Sequence, residues 1–195
     1  MISMVVGLGN VGIRYAETRH NLGFDLLSII NKKWGTRQLE ERRGDYYVAR
    51  KNCDWRSISL IWPTTYMNNS GVAVVQALAH SGLNVADILV VYDDFNIPLG
   101  NIRIRTQGSH GGHNGMESII TYLGTDEILR LRMGIGPIPE NCDPIDFVLS
   151  RFNENEIEIR NKMLDKSVEA VLYLLKNRPE EAMTVYNVNP APDEE

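Results

Sequence analysis

Short unbroken apolar runs alternate along this chain with stretches whose apolar residues recur every three or four positions. The first pattern predicts strands and the second helices. Ile2 to Val6 is apolar throughout and stops at Gly7, as expected of a strand buried on both faces. From Asn21 to about Trp34, the residues Phe24, Leu27, Ile30 and Trp34 share one stripe and predict a helix. Tyr46 to Arg50 and Arg56 to Trp62 read as two strands around a turn at Asn52 to Asp54, with Pro63 ending the second. Asn68, Asn69 or Ser70 suits the N-cap of a helix that carries Val74, Val75, Leu78 and Ala79 and ends near Gly82. Ile88 to Tyr92 and Ile102 to Arg105 are two more strands, and a helix is expected from about Asn114 to Leu123. Leu129 to Ile135 alternates basic and apolar residues, the pattern of a strand with one exposed face. Glu154 to Lys176 predicts a long helix with Leu164, Val168, Val171, Leu172 and Leu175 turned inward.

Helices interleaved with apolar strands predict an α/β fold: a single three-layer domain, residues 1–186, with a mixed, mostly parallel central sheet flanked by helices. Residues 187–195, proline-rich and acidic, are expected to form a flexible tail. Sites in such sheets form beyond the carboxyl ends of the strands. The polar clusters fall in such places, with Asn10 and Asp93 expected just after strands and Asn68 after the break at Pro63.

Composition narrows the class. A chain of 195 residues, 43% of them hydrophobic, can build a sizeable core. It offers no run of the roughly 18 apolar residues that a membrane span needs, and its N-terminus has no secretion-signal pattern. Cys53 and Cys142 fit no metal or redox spacing and are expected to be free buried thiols of a reducing cytoplasm. The net charge of −5 is unevenly spread. Glu140 to Glu195 holds 13 acidic and 6 basic residues, whereas Met1 to Pro139 holds 12 acidic and 14 basic. The part with the polar clusters is therefore mildly basic, and local basic pairs there can meet phosphates.

Gly7-Leu8-Gly9-Asn10-Val11-Gly12 has the glycine spacing of a dinucleotide-binding turn. That reading also requires a helix opening at the third glycine and an acidic residue ending the next strand. Ile13 to His20 is irregular, and Glu40 and Glu41 lie in a charged run, so the alternative is a tight turn that lets backbone pack closely. His20 is the best candidate base, since its ordinary pKa near 6.5 leaves it mostly neutral. Asp93 or Asp94 is available to orient it. Asn10, Asn68 and Asn114 have donors and acceptors suited to orienting water, gripping a peptide backbone or stabilising an oxyanion. Ser70 lacks the flanking glycine of a nucleophile elbow. His110 and His113 lack zinc-site companions, so no metal or other cofactor is called for. Arg103 and Arg105 on one strand, and Arg130 and Arg132 on another, form two basic pairs suited to a phosphate.

Gly7-Leu8-Gly9-Asn10, Thr18-Arg19-His20-Asn21-Leu22-Gly23, Pro63 through Gly71, Asp93-Asp94 and Gly108 through Gly115 together strongly resemble the bacterial-type peptidyl-tRNA hydrolases. The match runs from the first strand to about Gly136; beyond it only length and helical character agree. The resemblance implies a monomeric, cytoplasmic, metal-independent α/β enzyme, with no membrane association. Its substrate would be peptidyl-tRNA, cleaved at the ester between peptide and terminal ribose. It implies His20 as base, Asp93 as its partner, and Asn10, Asn68 and Asn114 as holders of peptide and water. Tyr15 would shape the site near the ribose, Tyr66, Met67, Gly112 and His113 would line the peptide cleft, and Arg105 and Arg132, supported by Arg103, would clamp phosphate. Val11, Trp62, Phe95-Asn96-Ile97 and Glu117 depart from the usual pattern. Glu117 and the acidic tail bear on tRNA affinity rather than chemistry. The competing readings are a noncatalytic RNA-binding relative, against which the intact candidate residues stand, and a nucleotide-cofactor oxidoreductase.

Overall fold

The computed structural model describes residues 1–35, 41–53 and 56–187. Seven strands form one sheet in the order β2-β3-β4-β1-β5-β7-β6: β1 (Met4–Gly7), β2 (Glu41–Arg43), β3 (Tyr46–Cys53), β4 (Arg56–Pro63), β5 (Ile88–Pro98), β6 (Ile102–Arg105) and β7 (Leu129–Gly136). The central strands β4, β1, β5 and β7 are parallel, while β2, β3 and β6 add antiparallel margins. The helices are α1 (Leu22–Lys33), α2 (Ser70–Ser81), α3 (Asn114–Leu123), α4 (Pro144–Leu149), α5 (Glu154–Leu174) and α6 (Pro179–Tyr186). The predicted three-layer α/β architecture is the observed one.

Alternation along the central strands explains the layers. Val5, Leu89 and Val91 pack with α1, α5 and Leu131 of β7; Met4, Val6, Val90 and Tyr92 pack with α2 and α3. Both faces are covered, so these strands read as continuous apolar runs rather than alternating ones. The same alternation continues past the apolar run. Asp93 follows the face of Val91, and Asp94 follows that of Tyr92, so the two carboxylates leave β5 in opposite directions.

Several expectations change. The inner stripe of α1 is Leu22, Leu26, Leu27 and Ile30, with Phe24 and Trp34 only half-buried. Val75 and Ala79 face outward from α2. β5 continues to Pro98 by pairing with β7 across an irregularity, so Asp93 lies within a strand rather than after one. The basic face of β7 is not exposed: Arg130 is 1% accessible, and its guanidinium donates to the carbonyls of Gly108, Ser109, Asp126 and Ile128. Both cysteines are free but half-buried rather than buried. Of the turn expected at Asn52 to Asp54, Asn52 belongs to β3 and Asp54 lies outside the described residues, as does Glu40. Asn187, the first residue of the expected tail, pairs its side-chain amide with both backbone groups of Ile104 on the open edge of β6. Residues 188–195 lie outside the described residues.

Candidate active site

The site begins where α1 meets the ends of β1 and β5. A Cβ on Gly23 would collide with the backbone of Leu8 and Val91, so glycine there lets the first turn of α1 press against both strand ends. Gly7 and Gly9 serve the same approach from the other side, since a Cβ on either would strike Gly23 or the Phe24 ring. The glycines of the dinucleotide-like turn are thus spent on packing. Gly12 leads into a single 3-10 turn, Ile13–Tyr15, and α1 opens only at Leu22. The first turn of α1 is packed directly on Leu8 and Gly9 and its N-cap Asn21 is bonded to Asn10, so this helix end is occupied by the chain's own backbone where a pyrophosphate would have to sit, which counts against the nucleotide-cofactor alternative. A second 3-10 turn, Arg19–Asn21, leads into α1 with all three residues buried. Asn21 accepts from the backbone N–H of Asn10 at 2.8 Å and donates to its carbonyl at 3.0 Å, bracing the Asn10 loop against the His20 turn.

His20 Nδ1 lies 3.0 Å from each oxygen of Asp93, which is 1% exposed. His113 Nε2 lies 3.2 Å from the same carboxylate. The protonation of His113 follows from its other nitrogen. Nδ1 accepts the backbone N–H of Met116 as the N-cap of α3, so the proton of a neutral ring sits on Nε2 and is donated to Asp93. Burial would raise the Asp93 carboxyl, but His20 and His113 outweigh it and hold Asp93 well below the usual carboxylate range. Burial would lower His20, but the adjacent Asp93 prevails and raises it. For His113 burial prevails, reinforced by His20, and its pKa falls despite Asp93. His20, Asp93 and His113 bring ligand atoms within 4.8 Å of one another, a spacing that invites a metal reading. The chemistry of the donors opposes it: His113 has no lone pair left on either nitrogen, so it could ligate only after losing its capping bond or its last ring proton.

With Nδ1 engaged by Asp93, His20 presents Nε2 to a cleft of about 160 Å³. Asp93, Gly112, His113 and Asn114 line it together with Phe95, whose ring lies against Gly112, and with Pro144, Ile145 and Val148 of α4. Asn114 is exposed at the first position of α3. Asn10 lines a second cleft of about 390 Å³ with Tyr15, Thr64, Thr65 and Tyr66, and there the Thr64 and Thr65 hydroxyls are buried without a hydrogen-bond partner. Tyr66, 74% exposed, therefore stands with Asn10 and Tyr15 rather than with Gly112 and His113. Met67 is buried beneath Gly115, whose added Cβ would meet its sulfur at 2.5 Å, and this places Asn68 beside the start of α3. Among the described residues, the side chains of Asn10, Asn68 and Asn114 make no hydrogen bond, so all three amides are available.

The basic residues form a separate group on β6 and β7. Arg103 pairs in register with Arg132 and Arg105 with Arg130, which puts Arg105 diagonal to Arg132. Arg132 Nε binds Asp94 at 2.6 Å. Arg103 donates to the Asn187 carbonyl, and the exposed Arg105 donates to the carbonyl of Ile104.

The peptidyl-tRNA hydrolase family matches residues 4–194. The chain belongs to this family. It is 45% identical to a peptidyl-tRNA hydrolase of Pseudothermotoga lettingae over 188 residues, covering 95% of this chain and 97% of the relative. It is 47% identical to one of Thermotoga maritima over 186 residues, covering 94% and 96%. A solved peptidyl-tRNA hydrolase structure from Acinetobacter baumannii superposes with a TM-score of 0.88 at 33% identity, covering 97% of both chains. The hydrolase assignment fits a site made of two imidazoles on one buried carboxylate, with amides free beside it. Sequence reasoning missed the bracing of Asn10 by Asn21, the bond from His113 to Asp93, and the burial of Arg19. Asn21 and Arg19 flank His20 in one polar cluster, and that adjacency was the available signal.

Proposed function

We propose that this hydrolase cleaves the peptide–tRNA ester with His20 as general base, and that Asp93 holds its reactive tautomer. The reading is carried by His20 Nδ1 sitting 3.0 Å from both Asp93 oxygens while the ring lines a cleft shared with Asn114. Neutral His20 takes a proton from water on Nε2 as the water oxygen attacks the ester carbonyl. Amide N–H groups of Asn10, Asn68 and Asn114 hold the water, the peptide backbone and the oxyanion. The imidazolium, stabilised by Asp93, then gives its proton to the departing ribose oxygen, and free peptide and tRNA result. General-base help of this kind contributes about 100- to 10,000-fold. The peptide lies in the cleft with Gly112 and His113, above Met67, and the terminal nucleoside lies toward Tyr15 and Tyr66. Arg105 and Arg132, with Arg103, meet the phosphates, which separates tRNA from small esters. We take the enzyme to work as a cytoplasmic monomer; among the described residues no helix is long and apolar enough to cross a membrane.

The pH profile tests the assignment. Because Asp93 raises His20 above its ordinary value near 6.5, kcat/KM should climb with pH through one ionisation above that value. A rate independent of pH between 5 and 8 would reject His20 as the base.

A further inference from the structure

Arg19 is buried next to His20 in the same 3-10 turn, and the catalytic reading leaves it unused. Among the described residues, its side-chain partners all lie between residues 147 and 156. The guanidinium sits 4.6 Å from the Phe147 ring and 4.5 Å from the Phe152 ring. Nε donates to the Ser150 hydroxyl at 3.2 Å, and Nη2 pairs with Glu156 at 2.7 Å. The main chain follows the same course: Arg19 N–H donates to the Ser150 carbonyl at 2.9 Å, and Thr18 forms an antiparallel bridge with Arg151. Glu156 also accepts from the backbone of Asn153 in the capping box of α5, so one carboxylate ties Arg19 to the start of that helix.

What Arg19 holds is a wall of the cleft. α4 has six residues, too few to be stable alone. Phe147 is its buried residue, and it rests on Arg19. Pro144, Ile145 and Val148 of the same helix face the cleft that His20, Asp93 and His113 line. The tether on one side of α4 therefore sets where the apolar wall stands on the other.

We propose that Arg19 is a positioning residue that fixes the α4 wall of the cleft that His20 lines, so that Ile145 and Val148 pack on the peptide next to the scissile ester. This rests on the reading that the cleft beside His20 receives the peptide. A lysine would keep the charge but lose the planar fork that stacks on two rings and bonds Ser150 and Glu156 together.

The test compares Arg19→Met, Arg19→Lys and Phe147→Leu with the unaltered protein, each checked for folding by its melting curve. The readouts are kcat, KM and the pH profile with peptidyl-tRNA, and methyl NMR of Ile145 and Val148 without substrate. Arg19→Met should raise KM about tenfold while kcat stays within about threefold and the acid limb does not move. Arg19→Lys should fall between, Phe147→Leu should repeat the KM rise, and the Ile145 and Val148 methyl signals should shift or broaden. A KM for Arg19→Met within twofold of the original, with only the melting temperature lowered, would make Arg19 merely structural and overturn the proposal. A fall in kcat with a displaced acid limb and unchanged KM would also overturn it, since Arg19 would then act on His20. If Arg19→Met does not fold, an unchanged KM in Phe147→Leu is the refuting result. The methyl signals report on the wall whatever group proves to be the base. A wrong base assignment shows separately, as a missing acid limb in the unaltered protein.

Discussion

Asp93→Asn exchanges one oxygen for an amide nitrogen of nearly the same size at a position that is 1% exposed. The asparagine has one acceptor and one donor to share between two histidines. His113 keeps its proton on Nε2 because its Nδ1 caps Met116, so it claims the carbonyl oxygen. The amide nitrogen then takes the other carboxylate position, also 3.0 Å from His20 Nδ1, and its N–H favours a ring nitrogen that accepts. The proton of His20 then moves to Nε2, the atom that must receive a proton from water. The same tautomer error in a Ser-His-Asp triad costs about 10,000-fold. Here a loss of about 1,000- to 10,000-fold in kcat is expected, or roughly 4–5.5 kcal/mol in the barrier at 1.36 kcal/mol per decade. Release of tRNA from a defined peptidyl-tRNA, followed at pH 7 with substrate in excess, measures it. A second variant sharpens the test. With His113→Phe added, the introduced amide is free to turn its oxygen toward His20, and about tenfold of the lost kcat should return despite the lost cap. A kcat for Asp93→Asn within threefold of the unaltered enzyme would refute the tautomer reasoning, and additive losses in the double variant would refute the role given to His113.

Arg105→Ala should raise KM for peptidyl-tRNA and lower its salt dependence by about one unit of log–log slope, without loss of stability, because Arg105 is exposed; an unchanged salt slope in a KM titration would place the phosphate elsewhere. Arg132→Ala should raise KM too, but it strands Asp94 in a buried position and so should destabilise by about 3–5 kcal/mol, read by urea unfolding. Arg130→Met leaves carbonyls of two loops without their donor and should cost at least about 3 kcal/mol in the same assay while leaving KM near its original value in folded protein. His113 has a lowered pKa in the folded protein, so its contribution to stability is present above the unfolded value near 6.5 and is lost as pH falls below it, by at most about 1.4 kcal/mol per pH unit. His20, raised, has the opposite slope, contributing below 6.5 and losing that as pH rises through its folded value. His113→Gln should therefore flatten the fall in unfolding free energy between pH 7 and 5, and an unchanged slope would count against the buried neutral ring.

Much of the fold was legible because apolar periodicity reports burial. The bounds of β6 and α3 fell where the pattern put them, and α3 stops where Gly124 turns left-handed at its C-cap. Other features depended on partners far along the chain. The alternation of Arg130 with apolar residues looks like a solvent-facing strand, and only the folded loops at 108–109 and 126–128 supply the carbonyls that make it a buried staple. β2 was hidden in a charged run, as antiparallel edge strands often are. α4 is too short for its period to show, although Asp143-Pro144 is a cap followed by a first-turn proline. For the site, sequence singled out His20, Asp93 and the three asparagines. The residues alone left both adjacent aspartates open and the family resemblance chose Asp93; in the fold, strand alternation separates the two, and Asp94 goes to Arg132 instead. Nor could it show that His113, assigned to the cleft, also holds the carboxylate that His20 uses.

The central claim is that the His20 ring removes a proton from the attacking water. Turnover of peptidyl-tRNA by His20→Ala tests it most directly, with folding verified by an unchanged melting transition and affinity by KM. The expected result is a kcat lowered about 100- to 10,000-fold with KM within about threefold. A folded His20→Ala enzyme that turns over at the original rate would contradict the account.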